Sequence, residues 1–477
     1  MNRFLIYVLG VSLLLNLAVA FFCYNHESRF IDPDSNDYIK LADNLAGFKG
    51  YTKGSEPEIF RVPGYSFFLS PFRYIFPHSI FPVIIVQCIL STASILLLWH
   101  LTLYLTLGNK TIAKAATIIQ ALSLSSIVAA NKILTETLFT FLLLLFLFFL
   151  AKTVIYMKIN DQKSSGKKYF FTFATGITAG LLVLVRAIFL PLFPLFLIYL
   201  WITGISSFQK GNRAGVYKLI LIMFFPYLLS VGGWSLRNSL TAGYNGFSSV
   251  GSINIYRYYS CALSARQNGS AFSDEQRICD ANLSAAGNEV QQAAYSLKHG
   301  IPVLKSAPLT YLFLHLKTDI NTLFPAVGDF YALMGKNIGG KGTLSVINSR
   351  GIAAGIKHYF AGNWTLFFLA MPVVFLLILK YLLAAAGAGR KIFSKNIDFT
   401  AVIYIISAVY MIIIPGAVSH PRFRVPIEPI LSLFAGIGLY FMLELINNLK
   451  AEPTRHCSLF KKLSRTIFIR FRPKKEK

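Results

Sequence analysis

Long apolar runs recur along nearly the whole of this 477-residue chain, at about 4–23, 80–107, 112–130, 134–156, 169–186, 187–205, 217–236, 363–384, 398–416 and 425–447. A helix needs roughly 20 consecutive apolar residues to cross a bilayer, and only helices or closed barrels satisfy their backbone there. The runs therefore predict an all-α polytopic membrane protein with about ten transmembrane helices. A membrane barrel would instead show short alternating segments. Charged residues make up 14% of the chain and hydrophobic ones 55%, a charge fraction of about half that of a soluble domain.

The net charge of +26 follows this membrane organisation and not nucleic-acid binding. Basic residues collect in one set of loops: Lys110 and Lys114; Lys152, Lys158, Lys163, Lys167 and Lys168; Lys210, Arg213 and Lys218; Arg390, Lys391 and Lys395. By the positive-inside rule these loops and both termini are cytoplasmic. The chain then divides into an N-terminal transmembrane module (1–236) with a first outer loop (24–78), an outer insertion (237–362), C-terminal transmembrane helices (363–447) and a basic cytoplasmic tail (448–477). The tail carries Lys461, Lys462, Arg465, Arg470, Arg472, Lys474, Lys475 and Lys477, and is expected to touch anionic lipid headgroups.

Ala18-Val19-Ala20 is similar to a signal-peptidase site, but the run 4–23 is long enough to span and is expected to stay as an anchor. In the first outer loop, Tyr38, Leu41, Ala42 and Leu45 have helical spacing and predict an interfacial helix on the membrane surface. Helical patterns recur near 284–299 and 306–335. Cys23, Cys88 and Cys457 read as span or tail residues. Cys261 and Cys279 share the outer insertion, a compartment that permits a disulfide.

With this topology, unusual polar residues fall on one side. Asp34 and Arg61 lie in the first outer loop, Glu136 in the outer turn before the fourth span, and Arg186 between the fifth and sixth. Trp234, Arg237 and Asn238 end the seventh span; His420, Arg422 and Arg424 precede the tenth. The chain has only 20 Asp and Glu, and an ionisable group beside hydrocarbon is costly unless it faces a cavity or a partner. A basic rim beside two acids suits a lipid-linked phosphate: the guanidinium fork matches phosphate oxygens, and a carboxylate opposite takes a proton from an attacking hydroxyl. No Ser/His/Asp triad, P-loop or metal-ligand spacing is present.

These residues occur in ordered motifs: Asp34-Ser35-x-x-Tyr38, Arg61-Val62-Pro63-Gly64-Tyr65, Leu134-Thr135-Glu136-Thr137, Arg186 ahead of Leu190-Pro191-Leu192-Phe193-Pro194, Trp234-x-x-Arg237-Asn238, and His420-Pro421-Arg422-Phe423-Arg424-Val425-Pro426. Over most of its length the chain resembles the GT-C glycosyltransferases, in particular bacterial relatives of protein O-mannosyltransferases (family 39) and of lipid A aminoarabinose transferase. The resemblance implies an inverting glycosyltransferase that moves a sugar from a polyprenyl-phosphate donor to a lipid, glycan or protein hydroxyl on the outer face of a bacterial inner membrane. It implies Asp34 as catalytic base or acceptor-positioning acid, with Glu136 as the second acid. Arg61, and with it Arg237, Arg422 and Arg424, would hold the donor phosphate, supported by Asp37, Tyr38, Arg186, Trp234 and Asn238. Asp32 and Asp37 are alternatives to Asp34 in that alignment. No cofactor is expected to be required; two carboxylates offer a divalent metal a place, but none is favoured.

A transporter or flippase of a lipid-linked glycan shares this architecture. It would place polar residues along a path within the spans, whereas segments such as 138–150 are almost wholly apolar. A structural assembly factor, with acids that only cap helices, would tolerate Asp34→Asn.

Overall fold

The computed structural model describes residues 3–159, 165–207, 213–336, 338–339, 343–394 and 398–451. The expectations for the basic tail beyond residue 451, for Cys457 and for Lys163, Lys210 and Lys395 lie outside the described residues. In chain order the helices are α1 (Arg3–Phe22), α2 (Pro33–Ala46), α3 (Gly64–Ile75), α4 (Phe81–Leu105), α5 (Lys110–Ala121), α6 (Leu124–Ala130), α7 (Glu136–Lys158), α8 (Ser165–Val185), α9 (Phe193–Ser207) and α10 (Arg213–Ala242). The insertion holds α11 (Val250–Asn254), α12 (Cys261–Asn268), α13 (Phe272–Ala285), α14 (Glu289–Ser306), α15 (Pro308–Asp319), α16 (Val327–Leu333), α17 (Thr343–Arg350) and α18 (Ile352–Tyr359). Then follow α19 (Trp364–Ile392), α20 (Phe399–Ile413) and α21 (Glu428–Ala451).

Among the described residues eight helices are long and apolar enough to cross a membrane. This is a multi-pass, all-α membrane protein. The other two apolar runs take shapes that hydropathy does not show. The third is broken into α5 and α6, bent by 55°, because Ser123 is extended (φ −70°, ψ 107°) and restarts the helix. The ninth is the short α20, of 15 residues. α10 runs on to Ala242, so Arg237 and Asn238 lie on a helix inside what hydropathy places in the insertion.

Packing between the spans uses two devices. Aromatic side chains fill the centre, where Phe146 of α7 meets Phe196 of α9 edge-to-face with ring centroids 4.7 Å apart, a favoured aromatic geometry. Small residues let backbones touch elsewhere. Gly387 of α19 and Gly438 of α21 lie so close to the facing helix that a Cβ on either would strike its backbone.

The two ends of the bundle differ in charge. At one end Lys114 of α5 sits 5.3 Å over the Phe4 ring at the start of α1, and Lys391 binds Asp398 at 3.1 Å. At the other, beyond the far end of α1, the acids and arginines gather. There α2 starts at a capping box of Asp32 and Ser35, with Pro33 in the first turn, an arrangement that satisfies the free N–H groups of a helix start. Its apolar face packs against α3. Tyr38, Leu41 and Ala42 are buried, and Tyr38 meets Tyr65 edge-to-face at 5.1 Å. The expected surface-lying helix is thus built into the protein. A two-stranded hairpin (Thr52–Lys53 with Glu56–Pro57) links α2 to α3.

The insertion clamps this first loop. Ser249 N donates to Ile59 O at 3.0 Å, and Glu289 of α14 accepts from Ile59 N at 3.3 Å. Cys261 and Cys279 are free thiols, both buried, and their side chains are hydrogen-bonded to one another.

Candidate active site

The α2 capping box fixes where the helix begins, so Asp34 and Asp37, three residues apart, share one face. Both reach the same guanidinium: Arg61 Nη2 lies 2.7 Å from Asp34 Oδ1 and 3.3 Å from Asp37 Oδ2. Arg61 is aimed by its own backbone. Glu58 Oε1 accepts the N–H groups of Phe60 and Arg61, each at 2.7 Å, and the Tyr51 hydroxyl donates to Arg61 O at 3.1 Å. The rings of Tyr38 and Phe60 flank its guanidinium at 5.1 and 5.2 Å.

The second oxygen of Asp34 accepts from Arg422 Nη2. Arg422 Nε lies 3.9 Å from Glu136 Oε1, and Arg186 Nη1 lies 2.9 Å from that same oxygen. Five separate stretches of sequence thus build one alternating row: Asp37, Arg61, Asp34, Arg422, Glu136, Arg186. Access varies along it. The side chains of Asp34 and Arg422 are 30% and 24% exposed, but that of Glu136 is only 3% exposed, so the middle of the row meets an incoming molecule and Glu136 holds arginines from behind. Burial pushes the Asp34 carboxyl up, but Arg422 and Arg61 outweigh it and hold it at about 2.

The arginines are not saturated. Nε of Arg61 and Nε of Arg422 are buried and make no hydrogen bond among the described residues. Buried donors without acceptors are rare and call for a missing partner.

Four other residues grouped with the site by sequence stand elsewhere. Arg237 donates to the main-chain oxygens of Glu58 at 2.7 Å and Tyr51 at 2.6 Å, and so ties the first loop to α10. Asn238 donates to Gly246 O and Phe247 O, both at 3.0 Å. Trp234 packs edge-to-face on Tyr51 at 5.3 Å, with its ring N–H buried and unpartnered among the described residues. Arg424 is fully buried. It reaches Glu428 (2.6 Å), Thr322 O (2.9 Å), Phe324 O (2.7 Å) and Ser125 Oγ (2.7 Å), while Lys380 pairs with the other oxygen of Glu428. Neither Arg237 nor Arg424 reaches the row, so the structure does not bring them to the phosphate-binding position that the resemblance implies. Tyr38 is in the row's wall, beneath Arg61.

Beside the row runs a narrow cleft lined by Asp32, Lys132, Glu136, Asp329, Arg422 and apolar neighbours. Lys132 Nζ binds Asp32 Oδ1 at 2.8 Å. Sequence reasoning passed over Lys132 and Asp329. Lys132 carries a signal in retrospect, since it lies in the same outer turn as Glu136, four residues before it. Asp329 lies in an ordinary stretch, Val327-Gly328-Asp329-Phe330-Tyr331, and only the fold brings it here.

Both oxygens of Asp34 accept from guanidinium groups, and among the described residues no three His, Cys, Asp or Glu converge to hold an ion.

No protein-family model matches the chain, and neither does any curated protein. Solved structures do. The archaeal oligosaccharyltransferase AglB from Archaeoglobus fulgidus, in complex with an inhibitory peptide and a dolichol-phosphate, superposes with a TM-score of 0.52 at 15% identity, over 98% of this chain and 54% of that one. Its apo form gives 0.53 at 14% identity, over 98% and 52%. The chain has the GT-C fold. It spans about half the length of those oligosaccharyltransferases. ArnT from Cupriavidus metallidurans bound to undecaprenyl phosphate aligns over 89% of this chain and 76% of that one at 14% identity, with a TM-score of 0.37.

Proposed function

We propose that this protein is an inverting glycosyltransferase that takes a sugar from a polyprenyl-phosphate donor and passes it to an acceptor hydroxyl at the face of the membrane opposite the lysine-rich loops. The observation that carries the proposal is the row of three arginines strung on Asp34 and Glu136, two of which, Arg61 and Arg422, keep a buried Nε–H unspent. A phosphate diester offers oxygens for such donors, and charge-assisted bonds from guanidinium groups are the strong kind. Its lipid tail explains why the site sits at the ends of membrane spans. As the bond from the anomeric carbon to the phosphate oxygen breaks, the charge gathering on that oxygen meets Arg61 and Arg422, already oriented by Asp34.

Asp34 acts first as an orienting group. With a carboxyl held at about 2, it is a poor proton acceptor until a phosphate draws a guanidinium away. The bacterial inner membrane and a periplasmic active site belong to this proposal, supported by short loops and by the charge difference between the two ends.

Transport of a lipid-linked glycan is not favoured. Three charges within spans, Lys380, Arg424 and Glu428, are 7%, 0% and 1% exposed and satisfy one another in a closed knot, so these three line no path. The test uses labelled undecaprenyl-phosphate sugars, the full chain in lipid nanodiscs and membrane extract as acceptor. Label reaching an acceptor with wild type but not with Arg422→Lys supports transfer. Label that only changes leaflet in proteoliposomes overturns it.

A further inference from the structure

Asp34 is neutralised twice over and Glu136 is enclosed, yet an attacking hydroxyl must lose its proton to something. One acid of the cleft stands apart from both. Asp329, in α16 of the insertion, faces the cleft alongside Arg422 and Glu136, but makes neither a hydrogen bond nor an ion pair with any described residue. The neighbouring acid Asp32 is occupied by Lys132, and Asp37 by Arg61 and Lys53. We infer that this cleft, with room for about one water-sized group, receives the acceptor's hydroxyl and that Asp329 is the base that takes its proton; this rests on the transfer reading above.

In that step the acceptor oxygen forms its bond to the anomeric carbon as the bond from that carbon to the phosphate oxygen breaks. The hydroxyl proton passes to Asp329, and the polyprenyl phosphate leaves with the bonding electron pair beside Arg61 and Arg422. The groups facing Asp329 come from every side: Asp32 at the cap of α2, Lys132 before α7, His420 and Arg422 before α21, and the Tyr359 hydroxyl from α18. Burial raises the carboxyl and is the largest influence; Asp32 adds to it, while His420, Lys132 and Arg422 work against it. An acid raised above the ordinary range is a better base at neutral pH than one held near 2.

Three measurements on the full chain in nanodiscs test this. Asp329→Asn is expected to lower transfer from the labelled donors by about 10²- to 10⁴-fold, the span of a lost general base, while undecaprenyl phosphate still binds within about threefold of wild type. Asp329→Glu is expected to restore part of the rate with a displaced acidic limb in the pH–rate profile. Dicyclohexylcarbodiimide, which attacks protonated carboxyls, is expected to go on labelling Asp329 of the wild-type chain at pH values where Asp34 is untouched, a readout independent of turnover. Transfer by Asp329→Asn at the wild-type rate with an unchanged acidic limb overturns the assignment and leaves the transfer reading standing. Wild-type protein that moves no sugar from any donor overturns that reading, and the role of Asp329 with it.

Discussion

Glu58 and Glu289 converge from the first loop and from α14 onto one stretch of backbone, where Glu58 accepts the N–H groups of Phe60 and Arg61 at 2.7 Å and Glu289 accepts that of Ile59 at 3.3 Å. Two carboxyls thus set the direction of Arg61. Burial first, and then the charge of Glu289, raise the Glu58 carboxyl from 4.5 to about 7. The folded chain therefore holds this proton more tightly than the unfolded chain. The stability it contributes is full below about pH 4.5 and is lost as pH rises to about 7. Glu58→Gln keeps an acceptor and removes the charge. Thermal unfolding in detergent is expected to show the variant gaining on wild type at pH 8 relative to pH 5, by roughly 2–4 kcal/mol. An equal gap at both pH values would contradict it.

Arg61→Lys and Arg422→Lys keep the charge but lose the planar fork. Each is expected to weaken undecaprenyl phosphate binding by about 10- to 100-fold while the chain still folds, since each leaves Asp34 one arginine. Titration of the lipid phosphate into nanodisc-embedded protein measures this directly.

Arg424→Met leaves Glu428 and Lys380 buried without their third partner and frees two carbonyls and a serine. Removing one member of a buried charge cluster costs about 3–5 kcal/mol, so the variant is expected to unfold well below wild type. Replacing Lys380, Arg424 and Glu428 together by apolar residues of similar size is expected to recover most of that loss. A single variant as stable as wild type would show that the knot contributes nothing.

Arg237→Ala frees the carbonyls of Tyr51 and Glu58. It is expected to cost about 1–3 kcal/mol and to speed hydrogen exchange in residues 51–61. Lipid-phosphate affinity should fall less than in Arg61→Lys, because Arg237 acts through the loop and does not touch the phosphate. Equal losses would place Arg237 in the phosphate site.

The spans were legible because a bilayer leaves so few ways to satisfy a backbone. Even so, the break at Ser123 depends on one residue's dihedral angles, and hydropathy averages over it. The acids and arginines of the row were legible one by one, each as a charge at the end of an apolar run. Their division of labour was not. Arg422 and Arg424 belong to one motif and look equivalent in sequence, yet Arg422 meets Asp34 and Arg424 is sealed inside. Arg237 likewise reads as another rim cation, and only the carbonyls of Tyr51 and Glu58 show what it holds. Asp329 was silent because its meaning comes from residues about 90 to 300 positions away in the chain.

The close approach of Gly387 and Gly438 has a consequence for how a long lipid enters. α19 and α21 meet backbone to backbone, and Lys380 and Glu428 bolt the same seam further along. Gly436 also brings α21 close to the α5 backbone, less tightly than at that seam. A seam fastened this way stays shut while the rest of the bundle breathes, so α21 behaves as a fixed post from which Arg422 is hung. On the proposed function, the doorway for a polyprenyl tail is expected to open between other helices, and Arg422 is not expected to travel with the door.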